Sequence, residues 1–333
     1  AGREELLGLV SEDVRQRRGN RILMVPELIS HDTERRLCAA AGDTASRYAE
    51  VLSFPRLLRR VSEQTQFMPP ECLDNGGRLT AMAAATRQLS SRLKSYAAVE
   101  TRPEFLSDLL DAVDEFKRCC IAPLDLRMAS EQTSGSLAQK LEELALIQES
   151  YDSLCARSQA DPRDQMNWLL EQLEVCDFAE NHNFYIDGFP DFTRQHLAIL
   201  AHFIRLSPKV TVSLNCDEIY SSKYAFEKAG STAKQLLDIA KTAGVEYRVT
   251  YFEGRKDDLA PVRDKLFQGH IVPEKQLSNS VKLYTLDSVH RECQAAAEEV
   301  ESTSDRLDID LETGEFVYVN AGHEMPFICK AGG

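Results

Sequence analysis

Arg21–Val25 (Arg-Ile-Leu-Met-Val) is a short unbroken apolar run, the pattern of a strand covered on both faces, and Pro26 stops it. The residues after it predict a helix capped by Ser30 or Asp32, with Glu34 in its first turn. A second extended piece, Ala49–Ser53, runs into Phe54-Pro55-Arg56-Leu57-Leu58, where Pro55 suits the first turn of another helix. Strand, helix, strand, helix is the rhythm of a parallel α/β layer.

From about Gly76 to Cys176 the period changes to that of helices almost throughout. Thr101-Arg-Pro-Glu104 has the form of a capping box. Apolar residues then recur at Phe105, Leu109, Val113 and Phe116, and a second stripe runs through Leu137, Leu141, Leu144, Tyr151 and Leu154. Asp161-Pro162-Arg163-Asp164 starts a third helix carrying Trp168, Leu169 and Leu173, and the three stripes read as cores of a helical subdomain. Strand character returns at Phe184–Asp187, Lys209–Leu214, Glu246–Phe252 and Val281–Leu286, with helices at Thr193–Leu206, Ser222–Ala243 and Arg291–Val300. The pattern predicts an α/β domain in two sequence pieces, residues 1–65 and 180–300, around a helical insertion at 66–179.

Composition narrows the function classes. The chain has 333 residues, enough for two or three cores or for one core with a large insertion. At 43% hydrophobic and 28% charged residues it has the balance of a soluble globular protein. Nothing in it reads as a signal peptide or a bilayer span. Nine cysteines without a Cys-x-x-Cys pair suggest reduced thiols in a cytoplasmic protein and no metal cluster. The net charge of −14 argues against indiscriminate nucleic-acid binding. The charge is uneven, however. Residues 1–60 hold eleven Arg, no Lys and nine acids, a balance of +2 that leaves −16 for the remainder. An acidic body with an arginine-bearing segment can still present a local DNA-reading face.

The most specific stretch is residues 184–193, Phe-Tyr-Ile-Asp-Gly-Phe-Pro-Asp-Phe-Thr. In nucleotide-driven motors a buried strand delivers an Asp to Mg²⁺, and a following acid, usually Glu, activates the attacking water. Here Asp187 is followed by Gly188. This segment, with Leu-Met-Val-Pro-Glu at 23–27 and the Asp-Thr-Glu-Arg of the next helix, resembles the N-terminal part of the AddB family over residues 1–300. AddB is the second subunit of bacterial AddAB helicase–nucleases, which process DNA double-strand breaks for homologous recombination.

The resemblance implies a RecA-like sheet of the UvrD class, as in a first helicase domain, with a helical insertion. It also implies a region that does not drive translocation. That region scans single-stranded DNA for a hotspot sequence while an AddA-type partner moves the strand. The family's Gly-rich phosphate loop ends in Gly-Lys-Thr/Ser. This chain opens at Ala1-Gly2-Arg3, as if inside that loop, with Arg3 near the lysine position. A planar guanidinium does not replace a compact ammonium. Gly2, Arg3 and Asp187 are therefore expected to form a vestigial nucleotide site, with no catalytic residue and no metal.

By the same resemblance, Phe54 and Arg56 are the leading DNA contacts, with Ser30 and Arg59 beside them. An aromatic face can stack on a base, and Arg can bind a phosphate or a guanine edge. Leu28, Ser30 and Arg59 depart from the Gln, Thr and aromatic residue usual at these positions, which bears on the hotspot sequence read. The family's Mg²⁺ and its iron–sulfur cluster, held in a nuclease domain beyond this chain's end, are not expected in this fragment. A competing expectation is an ATP-dependent helicase or exonuclease subunit with residual nucleotide binding. After Val300 the resemblance ends. Residues 305–333, with Asn320-Ala321-Gly322-His323, predict a β-hairpin similar to a fragment of SpoIIE/RsbU-type serine phosphatases. A phosphatase fragment is the third expectation.

Overall fold

The structure is a computed structural model that describes residues 2–42, 44–96, 103–216, 219–220, 226–252 and 285–303. The chain divides into two compact units, Ala1–Ile271 and Val272–Gly333. In the second, a helix spans Val289–Thr303.

In the first unit, four strands form one parallel sheet in the order β2-β1-β3-β4: β1 Arg21–Met24, β2 Ala49–Leu52, β3 Asn183–Ile186 and β4 Lys209–Val212. Met24 lies opposite Leu52 on one side and Ile186 on the other, and Ile186 lies opposite Val212. The strands are buried on both faces where they are central, which is why their sequences are continuous apolar runs. Ile22, Met24, Phe184 and Ile186 enter one core, while Leu23, Val25, Val51 and Tyr185 enter the other.

The second of these cores is closed by α1 (Gly2–Arg15), through Leu6, Val10 and Val14, and by α2 (Glu27–Ala41), through Leu37. Near the end of α1, Asp13 accepts hydrogen bonds from Arg21 at 2.7 Å and from the Tyr185 hydroxyl at 2.8 Å. Arg21 opens β1, so α1 runs antiparallel to the strands. The first core is closed by α3 (Phe54–Thr65), α8 (Gln165–Glu174), the short α9 (Phe178–Asn181), α10 (Arg194–Leu206) and Leu236 of α11 (Glu227–Thr242). A third core lies in the helical layer. It unites α4 (Asn75–Gln88), α5 (Pro103–Arg118) and α7 (Gly135–Cys155) around Met82, Val113, Ile147 and Tyr151, with α6 (Pro123–Glu131) packed on α7.

Several expectations need correction. Helix α2 starts at Glu27, so Ser30 and Asp32 lie inside it and cap nothing. Pro26, with φ −55°, already has the helical φ, and the Ser30 hydroxyl turns back to donate to the Glu27 carbonyl at 2.8 Å. The stripe on α7 is displaced: Leu137 is 53% exposed, while Ala145, Ile147 and Cys155 are buried with Tyr151. Helix α7 is packed against both α4 and α6, so its covered surface is wider than one stripe. Leu169 and Leu173 of α8 share a core with the sheet rather than with α4, α5 and α7.

Glu246–Phe252 is not a strand. Gly244, at φ +67°, ends α11 with the Val245 N–H returning to the Ala240 carbonyl at 3.0 Å, and the irregular chain beyond it leaves Tyr247, Val249 and Tyr251 exposed. Of Val281–Leu286, Thr285 and Leu286 are irregular and the rest lies outside the described residues, as do the Thr101 cap and the tail hairpin at 305–333.

One buried carboxylate organises the loop after α4. Glu143 on α7 is 3% exposed and accepts hydrogen bonds from the backbone N–H groups of Lys94, Ser95 and Tyr96 at 3.0–3.1 Å. Burial alone would raise its pKa. The N–H groups of Ser95, Lys94 and Tyr96, with the Gln139 amide, outweigh burial and lower it. A lowered folded pKa means that this stabilisation is full above the unfolded-state value and is lost as pH falls through the folded one. Glu143→Gln, which replaces one carboxylate oxygen by a donor, is expected to cost about 1.5–3 kcal/mol at neutral pH. Urea titrations should show that difference shrinking in acid.

Candidate functional site

The connection order places a switch point between β1 and β3. The chain leaves β1 to one side to form β2, then crosses to the other side for β3 and β4. In open parallel sheets the crevice outside the carboxyl ends at such a point is where ligands bind. Three backbone bonds carry the ladder one residue past the strands: Val25 N–H to the Leu52 carbonyl at 3.0 Å, Asp187 N–H to Met24 at 3.0 Å, and Ser213 N–H to Ile186 at 2.8 Å. They fix Asp187 at the carboxyl edge, beside Pro26.

The structure brings Gly2, Arg3 and Asp187 together there. The antiparallel course of α1 sets its first turn over the ends of β3 and β4. The Arg3 Nε–H donates to Asp187 Oδ2 at 2.8 Å, and Asp187 is 7% exposed. At Gly2 a side chain would begin 2.8 Å from the Ser213 hydroxyl. Gly188 has φ +81°, and a Cβ there would stand 2.8 Å from Ile29 Cδ1, 3.1 Å from an Arg3 terminal nitrogen and 3.2 Å from Pro26 Cδ. The carboxylate that β3 delivers to this edge is thus already held by a guanidinium. These residues do not fit a Mg²⁺–nucleotide pair. Among the described residues no three His, Cys, Asp or Glu side chains are grouped to hold a metal ion.

The four DNA-contact candidates fare differently. Phe54 is 4% exposed, stacked on the His196 ring at 4.1 Å and packed edge-on against Phe189 at 5.5 Å. Its face is used by the core, so it is corrected from a base-stacking platform to an anchor for the start of α3. Burial pushes His196 down to about 4 against the opposing charge of Asp191, so the stacked ring is neutral near pH 7. Ser30 is 5% exposed with its hydroxyl spent on Glu27, which removes it from the surface. Arg56 is half-buried and paired with Glu34 at 2.7 Å. Arg59 is exposed.

Sequence reasoning missed Glu34 as the partner of Arg56 and Glu27 as the acceptor of the Ser53 hydroxyl, a bond that ties the first turns of α2 and α3 together. The Ser53 cap itself was readable, since Ser precedes Phe-Pro at a helix start; its hydroxyl accepts from the Arg56 N–H at 3.4 Å.

A parallel sheet with an acid at its switch point and a helix N-terminus set over that edge defines an α/β domain of the class whose ligand crevice lies at the carboxyl ends. The family described as ADDB, N-terminal matches residues 4–261, and the chain belongs to that family. Among curated relatives, the ATP-dependent helicase/deoxyribonuclease B subunit of Caldanaerobacter subterraneus subsp. tengcongensis is 28% identical over 228 residues, 67% of this chain and 20% of its own length. The protein of the same description from Thermoanaerobacter sp. strain X514 is 26% identical over 292 residues, covering 84% of this chain and 25% of that protein. The one from Geobacillus thermodenitrificans is 26% identical over 315 residues, 89% of this chain and 27% of that protein. The chain spans about a quarter of the length of these relatives. No helix among the described residues is long and apolar enough to cross a membrane.

Proposed function

We propose that this chain is the non-hydrolysing, strand-scanning part of the second subunit of a cytoplasmic helicase–nuclease of the AddAB type, working with an AddA-type partner on single-stranded DNA in double-strand break repair. The observation that carries the reading is the Arg3–Asp187 pair beside Gly188. An internal cation stands where a motor would place its metal, and the next position, at φ +81°, disfavours the side chain of the acid that would activate water. Arg56 and Arg59 remain as the phosphate-facing candidates near the start of α3, Arg56 being releasable from Glu34.

The test is fluorescence anisotropy of a labelled oligo-dT strand with the full chain, alone and with the AddA-type partner, across a salt series. Binding that weakens steeply with salt is expected, together with no DNA-stimulated release of phosphate from ATP. Background-level binding at low salt in the presence of the partner would overturn the reading. DNA-stimulated ATP hydrolysis by the chain itself would favour a working helicase subunit instead.

A further inference from the structure

We propose that the cleft between α4 and α7 binds the phosphates of a nucleic-acid strand at a second place, away from the sheet edge. The inference rests on the reading above only for the identity of the polymer. The cleft encloses about 200 Å³, with Gln88 and Arg92 on one wall and Ser150, Ser153 and Arg157 on the other. Leu89, Leu146 and Leu154 are also among the lining residues.

Arg92 and Arg157 are both exposed, and neither has a carboxylate partner among the described residues. Glu149, the acid among the lining residues, is already held by Arg127. In a chain of net charge −14, this cleft gathers, beside a Glu149 that is held by Arg127, two guanidinium groups without a carboxylate partner among the described residues. Both follow the C-terminal ends of α4 and α7, where the helix dipole favours a cation without using its hydrogen-bonding fork. A guanidinium fork matches a phosphate through two parallel N–H···O bonds. The Ser153 hydroxyl and the Gln88 amide add neutral donors. Arg87, one residue before Gln88, supplies a further exposed cation to the same end of α4.

The experiment compares the full chain with the double variants R92A/R157A and R194A/R205A, using labelled oligo-dT over a potassium chloride series. The second pair lines the groove between α10 and α11 and removes the same charge elsewhere. For R92A/R157A the slope of log K against log salt should shrink by about 1.4, roughly 0.7 for each phosphate no longer neutralised, while R194A/R205A keeps the parent slope. Thermal melts check that each variant is folded. A role confined to the helix ends would lower the melting temperature of R92A/R157A and leave the slope unchanged, which overturns the proposal. Equal losses in both variants would mark a bulk charge effect and overturn it too. If the parent chain binds no strand at low salt, the functional reading falls with it; if the parent binds and R92A/R157A keeps its slope, only the cleft is refuted.

Discussion

Asp161→Asn is expected to destabilise the chain by about 3–5 kcal/mol, the cost of breaking a buried ion pair from one side. Asp161 is fully buried where the chain returns from the helical layer to the sheet. It pairs with Arg78 of α4 at 3.2 Å and with Lys117 of α5 at 3.1 Å. Lys117 also meets Asp152 of α7 and Asp164 just before α8, each at 2.9 Å, and Arg78 pairs with Asp114 of α5 and receives the company of the Tyr151 hydroxyl at 3.3 Å. Burial alone would raise the pKa of Asp161; the charge of Lys117, the Arg163 N–H and the charge of Arg78 lower it instead. Its ionised form therefore stabilises the fold above the unfolded-state pKa, and that contribution fades as pH falls through the folded value. Arg163→Ala is the comparison. Arg163 also touches Asp114, at 2.7 Å, but its side chain is 42% exposed, so its loss should cost about 1 kcal/mol or less. Urea denaturation of the two variants separates the outcomes: equal costs would mean that the buried network does not hold α4, α5 and α7 to the start of α8.

That network was not legible in the sequence. Arg78, Asp114, Lys117 and Asp161 are spread over more than eighty positions, and each one alone reads as a surface charge. What was legible followed from local rules. The runs at 21–25 and 184–187 are strands because both sheet faces are covered, which leaves no polar alternation to confuse the pattern. Thr193 was placed at the head of α10, and its hydroxyl accepts from the His196 N–H at 3.2 Å as a cap should. Where local rules conflicted with packing, packing decided. The alternation of Tyr247, Val249 and Tyr251 within 246–252 has strand propensity, yet it pairs with nothing in the described sheet. At the site, Asp187 and Gly188 could be read because chemistry assigns them adjacent roles. The burial of Phe54 under His196 could not, since the two rings are far apart in the chain and meet only when α3 and α10 pack on the same face.

Gly188→Glu, the substitution that would put an acid where a motor carries one, is expected to restore no ATP hydrolysis and to cost about 2–4 kcal/mol of stability. Two effects contribute. A side chain at φ +81° sits in the left-handed region, which costs an L-residue roughly 1–2 kcal/mol. The new Cβ must also displace Ile29 and crowd Pro26. The Ile29 methyl is the end of a flexible chain and can give way, whereas the Pro26 ring at 3.2 Å, at the end of β1, has less freedom and must shift by a few tenths of an ångström. Gly188→Ala separates these effects from charge: it should carry most of the same penalty, because backbone conformation and crowding do not depend on the carboxylate. Denaturation of both variants, with phosphate release measured in ATP and oligo-dT, distinguishes the cases. An alanine variant as stable as the parent would show that the loop adapts and that Gly188 is not required by geometry. A glutamate variant that hydrolyses ATP would show that Arg3 yields Asp187 to a metal. In that case a single missing acid, rather than the occupied carboxylate, separates this edge from a working motor.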